Sequence, residues 1–112
     1  MTSENPDAGF AALLQEAAFI AGVWVESDAW IDVVNPATGA LLGRVPDMGA
    51  DGADAAVAAA DRALRSWRAH APLARADILL RWYDAILAQQ EPLARLMVAE
   101  QGKPLAEARG EI

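Results

Sequence analysis

Cysteine is absent from this 112-residue sequence. That excludes disulfides, thiolate metal centres and a catalytic thiol supplied by these residues. Positive charge is scarce: 9 Lys and Arg stand against 16 Asp and Glu, a formal net charge of −7. Nucleic acid and anionic membrane surfaces call for a basic stripe, and none is visible, so neither is an expected partner. Histidine occurs once, at position 70. No apolar run approaches the roughly 20 residues of a membrane-spanning helix. The start, Met1-Thr2-Ser3-Glu4-Asn5-Pro6-Asp7, lacks the basic region of a secretory signal and the arginines of a transit peptide. The expectation is a soluble, cytoplasmic protein.

Apolar residues make up 54% of the chain, which argues against disorder, although many of them are alanine. Four tryptophans, Trp24, Trp30, Trp67 and Trp82, need a larger partner surface than a few short helices offer. Residues 1–18 read as a tail, Met1 to Gly9, followed by a short amphipathic helix, Phe10 to Ala18, with Phe10, Leu13, Leu14 and Ala17 on one side. Residues 19–45 read as two hairpins. β-formers flank Ala21-Gly22, the mark of a tight turn. Trp30–Val34 and Leu41–Val45 flank Asn35-Pro36-Ala37-Thr38-Gly39, where Asn35 bonds forward, Pro36 fixes φ and Gly39 relieves the exit.

Residues 50–112 read as helices. The first, Ala50 to Arg68, has Asp51 and Asp54 at its start and a stripe of Ala53, Val57, Ala60, Leu64 and Trp67. The second, Pro72 to Gln89, follows a poor cap at Ala71 and carries Leu79, Trp82, Tyr83 and Ile86 on one face. The third, Glu91 to Gln101, has Leu93, Leu96, Met97 and Glu100 along one side. Gly102 suits the left-handed position past a helix end, and Pro104 suits the first turn of a fourth helix. That helix meets no stop signal before Ile112, so the sequence reads as the front part of a larger protein.

No active site can be assembled from these residues. His70 has neither a nucleophile nor a second ligand near it in sequence, and reads as a surface residue. Asp51 and Asp54 complement the helix dipole better than they make a cation site. Glu107 and Glu111, four apart, could pair as carboxylates, but a solvated face with Arg109 between them is the simpler reading. Gly102-Lys103 lacks the glycine five residues earlier that a phosphate loop requires, Met97 standing there instead. Gly39, Gly43 and Gly49 are too widely spaced for a dinucleotide fingerprint. Catalytic, cofactor-binding and metal-binding residues are therefore expected to be none within 1–112. The tryptophans are expected in packing rather than on a ligand.

Three stretches, Phe19-Ile20-Ala21-Gly22-Val23-Trp24-Val25, Val34-Asn35-Pro36-Ala37-Thr38-Gly39 and Glu100-Gln101-Gly102-Lys103-Pro104, follow one another in the order found at the front of the aldehyde dehydrogenase superfamily. Ala59-Ala60, Trp67 and Arg75-Ala76-Asp77-Ile78-Leu79 also resemble its first two long helices. The run Leu93 to Met97 followed by Glu100 to Ile112, with Val45-Pro46-Asp47-Met48-Gly49-Ala50-Asp51, is most similar to the succinate-semialdehyde branch. Ala21 departs from the usual asparagine, and Ala71 and Ala74 from a polar capping pair.

The resemblance implies an α/β parent in which this segment is two N-terminal β-hairpins followed by an antiparallel cluster of helices, all within the N-terminal part of the cofactor-binding domain. It implies oxidation of an aldehyde to an acid with NAD or NADP, in 4-aminobutyrate degradation if the substrate is succinate semialdehyde, by a homo-oligomer, dimer or tetramer. The cysteine nucleophile, the water-activating glutamate and the cofactor strands would lie past Ile112, leaving the 112-residue chain inactive. A parent acting on glutarate semialdehyde and a self-contained helical interaction module are the alternatives.

Overall fold

The computed structural model describes residues 9–112. The expected tail is therefore outside the described residues, apart from Gly9. The chain then runs through two separate antiparallel hairpins, β1 (Ala18–Ile20) with β2 (Val23–Val25) and β3 (Trp30–Val34) with β4 (Leu41–Pro46). Four helices follow: α1 (Gly49–Ala69), α2 (Pro72–Ala88), α3 (Gln90–Gln101) and α4 (Leu105–Glu111).

The amphipathic helix expected over Phe10 to Ala18 does not form. One 3₁₀ turn, Ala11–Leu13, is all that appears, and Leu14 is already extended with ψ 125°. Nine residues with no capping side chain cannot offset the cost of helix nucleation, and Ala18 is taken by β1. The apolar spacing served another end. Phe10 is 2% exposed, one of three buried hydrophobics among the described residues with Ala94 and Ala108.

In the first hairpin Ile20 pairs with Val23 across a two-residue turn. Ala21 has φ 54° and Gly22 φ 81°. Two successive positive φ values give the mirror-image turn whose twist matches the strands. Phe19 and Trp24 face each other across the pair, ring centroids 5.0 Å apart and tilted by 55°. In the second hairpin Asn35 works as the sequence suggests: its Oδ1 accepts from the N–H groups of Ala37 (2.9 Å) and Thr38 (3.3 Å). The β3–β4 register shifts between Val33 and Val34, leaving Leu42 as the extra residue. Arg44 lies over the Trp30 ring, 5.0 Å from its centroid. Ser27 Oγ donates to the Asp47 carbonyl (2.8 Å), tying the loop before β3 to the exit of β4.

Proline places the helix joints. Ala71 is extended (ψ 146°) ahead of Pro72, as a residue before proline must be, and α2 starts there without a capping side chain. Pro92 cannot donate to the Ala88 carbonyl, and α2 ends at Ala88. Gln89 alone separates α2 from α3. Gly102 ends α3 with φ 74°, and its N–H reaches the Val98 carbonyl at 2.8 Å.

The closest helix packing lies between α3 and α4, where Ala94 and Ala108 are both fully buried. A clamp crosses the same junction. Arg109 Nε and Nη2 donate to Glu91 Oε2 (2.8 Å) and Oε1 (2.9 Å), a two-point pair of the stronger kind. Arg95 reaches Glu91 from one turn along α3, and Gln90 Nε2 donates to the Arg109 carbonyl at 3.0 Å. The hydrogen bond from Arg109, opposed by some desolvation and helped by the charges of Arg109 and Arg95, holds the Glu91 carboxyl below its ordinary value.

Of the apolar stripe read on α1, only Ala60 is turned to the hairpin. Ala56, Ala59, Ala60 and Ala63 line an open groove with Phe19 to Gly22, whereas Val57 is 69% exposed. Leu79, Trp82 and Tyr83 on α2 are also uncovered in this chain. Trp24 and Trp82 are 57% and 65% exposed while Trp30 and Trp67 are half-buried, so this chain alone does not cover the first two, in line with their need for a larger partner surface.

Two outcomes follow. Alanine pays about 1 kcal/mol to hold left-handed angles. Ala21→Asn should recover that, read as roughly fivefold slower hydrogen exchange at Ile20 and Val23 to Val25, while Ala21→Val should speed it. For the clamp, the folded carboxyl of Glu91 is depressed, so its contribution is complete above the unfolded value of about 4.3. It is lost as pH falls through the lower folded value. Exchange protection of α4 should therefore drop on acidification below that window, and Glu91→Gln should remove that drop.

Candidate functional site

Two of the three stretches that resemble one family in sequence, Val34 to Gly39 and Glu100 to Pro104, meet in space. The Asn35–Gly39 turn projects onto the end of α3: a Cβ at Gly102 would sit 3.3 Å from Pro36 Cγ. Glycine is favoured at 102 by its φ of 74°, and a Cβ there would also press on Pro36. Phe10, Asn35, Ala37, Val98, Gly102 and Leu105 line a half-open cleft of about 280 Å³ at this crossing. The second hairpin therefore locks against the α3–α4 corner through backbone turns and small contacts.

This crossing has no chemistry of its own. Arg95, at its rim, is already engaged with Glu91. Among the described residues no buried side-chain polar atom lacks a partner, and no group of three or more His, Asp or Glu could hold a metal ion. Glu91, whose pKa Arg109 lowers, belongs to the helix clamp.

The residues weighed from sequence are scattered. His70 caps the end of α1, its Nδ1–H donating to the Ser66 carbonyl at 2.7 Å, since a carbonyl can only accept. Asp51 lies in the first turn of α1, favourable to the helix dipole. It is Asp47, at the end of the second hairpin, whose Oδ1 accepts the Gly49 N–H at 3.1 Å. Glu111 pairs with Lys103, so Glu107 and Glu111 do not act as a carboxylate couple. Lys103 spans the turn to α4 and is not offered to a phosphate. Trp30 lies under Arg44, and Trp67 stands 6.2 Å from His70, centroid to centroid.

Sequence reasoning missed the Glu91–Arg109 pair. Its partners are 18 residues apart on different helices, and the turn at Gly102, which was legible, is what brings them together.

Residues 24–112 match the profile of the aldehyde dehydrogenase family. Three curated relatives are nearly equally similar. The chain is 52% identical over 103 residues to a 3-sulfolactaldehyde dehydrogenase of Pseudomonas putida, covering 90% of this chain and 21% of that protein. It is 51% identical over 104 residues to a glutarate-semialdehyde dehydrogenase of Pseudomonas aeruginosa, covering 91% and 22%. It is 52% identical over 102 residues to the NADP(+) succinate-semialdehyde dehydrogenase of Escherichia coli, covering 89% and 21%. The fold superposes on the crystal structure of succinate-semialdehyde dehydrogenase from Burkholderia pseudomallei with a TM-score of 0.85, at 46% identity over 89% of this chain and 21% of that one. It superposes with a TM-score of 0.87 on betaine aldehyde dehydrogenase from Staphylococcus aureus in complex with NAD+, at 29% identity over 96% and 22%. The chain spans about a fifth of the length of the curated relatives it matches. On the family match and these identities, it belongs to the aldehyde dehydrogenase family.

Proposed function

We propose that this chain is the N-terminal part of the cofactor-binding domain of an NAD(P)-dependent dehydrogenase that oxidises a short aldehyde bearing an acid group. The observation that carries this is the set of three relatives at 51–52% identity. Their named substrates differ in length and in acid type, yet each joins an aldehyde to an anionic end. Succinate semialdehyde is the substrate favoured within that class. It has support from the Escherichia coli relative and from the Burkholderia structure. A role in 4-aminobutyrate breakdown, a cytoplasmic setting and a homo-oligomeric parent belong to the same reading.

NAD or NADP supplies the hydride acceptor in such a reaction. The described residues do not fit either dinucleotide. Their glycines serve turns at 22, 39, 49 and 102, and no buried polar atom is left unpaired to receive a ligand. No step of the reaction is therefore assigned to this segment. Its part is structural: the Pro36–Gly102 crossing holds the second hairpin, and the Glu91–Arg109 clamp holds α4, against α3.

The exposed tryptophans at 24 and 82 weigh against a self-contained module, which would have to cover them. The test is to assay the intact protein and the isolated 112-residue chain with succinate semialdehyde, glutarate semialdehyde and 3-sulfolactaldehyde, each with NAD+ and NADP+. The intact protein should form reduced cofactor with at least one of the three, and the isolated chain with none. Turnover by the isolated chain, or none by the intact protein with any of the three, overturns the reading.

A further inference from the structure

Residues 9–17 cross the molecule from α3 to β4 without a backbone hydrogen bond to either. Within the described residues their backbone bonds are internal, Leu13 N–H to the Phe10 carbonyl and Leu14 N–H to the Ala11 carbonyl. What holds them is four contacts made through side chains. Phe10 is buried beside Asn35, Val98 and Leu105. Gly9 lies against Arg95, where a Cβ would stand 3.6 Å from Cδ, and Leu14 rests on Gly43, whose Cβ would stand 4.0 Å from Leu14 Cδ1. At the far end Glu16 meets Arg44 at 3.5 Å, both about half exposed. Beneath the strap, Leu13 and Leu14 roof a cleft lined by Val33, Leu42 and Leu96.

We propose that residues 9–17 are a strap that opens as a unit, independently of the hairpins and helices it crosses, with Phe10 as its latch. The unequal strength of the footholds supports this. An exposed ion pair at 3.5 Å contributes little and is screened by salt. Leu13 and Leu14 are half-buried. Phe10 alone is a large side chain removed from water. A segment joined to its neighbours by side chains breaks no sheet or helix hydrogen bond when it lifts, so its opening belongs to the low-energy, local class. Opening uncovers the apolar cleft of Val33, Leu42 and Leu96 and withdraws Phe10 from the cleft beside the Pro36–Gly102 crossing.

Hydrogen exchange on the intact protein tests this. The backbone N–H groups of Leu13 to Ala17 should exchange at least tenfold faster than those of β3, β4 and α3. Their rate should also be insensitive to low denaturant, which acts on openings that expose much surface. Phe10→Ala should accelerate 13–17 a further tenfold or more and leave α3 unchanged. Phe10→Leu should fall between, and Glu16→Gln should change the rate less than about threefold. If 13–17 exchange in step with α3 in the unmodified protein, there is no separate strap. If Phe10→Ala leaves 13–17 unchanged, or accelerates α3 equally, Phe10 is not its latch. Should Phe10→Ala not fold, the unmodified comparison and Phe10→Leu still decide the matter.

Discussion

The left-handed turn at Gly102 is the constraint on which the arrangement depends. With φ at 74° the chain leaves α3, and α4 folds back along it. Ala94 and Ala108 become fully buried, and Glu91 meets Arg109 across 18 residues of sequence. The same glycine leaves the space that Pro36 fills. A side chain at 102 would meet both objections together, conformational and steric. Turn angle, helix packing, ion pairing and hairpin docking are thus consequences of one backbone position.

Small residues do the packing here, and that decides how the rest is held. Alanine at 94 and 108 contributes little buried area, so close approach and polar clamping fix the α3–α4 corner more than a hydrophobic core does. Phe10 is the exception, one large ring under the crossing. The larger apolar side chains lie on open faces: Trp82 and Tyr83 on α2, Val57 on α1, Phe19 and Trp24 on the first hairpin. Apolar area of that kind stabilises only when it is covered, so within this chain these faces add little.

Local signals were readable and long-range ones were not. Ala21-Gly22, Asn35 to Gly39, Pro72, Pro92 and Gly102 each act through their own backbone geometry or through neighbours a few residues away. Each punctuates the chain where the sequence suggests. Periodicity misled where it stood alone. Phe10, Leu13 and Leu14 have helical spacing, but they form a strap whose side chains reach three different elements. The stripe on α1 was read by spacing, and the hairpin meets a face rotated from it, Ala56, Ala59, Ala60 and Ala63, of which only Ala60 belongs to the stripe; small side chains let β1 approach closely. The Glu91–Arg109 pair follows from the Gly102 turn and could be found only once the directions of α3 and α4 were known. Of the residues weighed for a site, His70 bonds to the Ser66 carbonyl, Asp51 lies in the first turn of α1 and Lys103 pairs with Glu111, each in a local contact of its own.

The likeness this chain carries marks a family and does not distinguish one substrate from another. Discrimination between two aldehydes requires groups that touch one and not the other, since specificity is a difference of affinities. The residues that carry the likeness here, Asn35 to Gly39 and Glu100 to Pro104, spend their hydrogen bonds and their contacts on each other and on adjacent backbone. Turns of this sort constrain a fold without meeting a ligand. Three relatives named for three different substrates can therefore match the segment almost equally, at 51–52% identity. What these residues set is the position of α4 and of the second hairpin relative to α3.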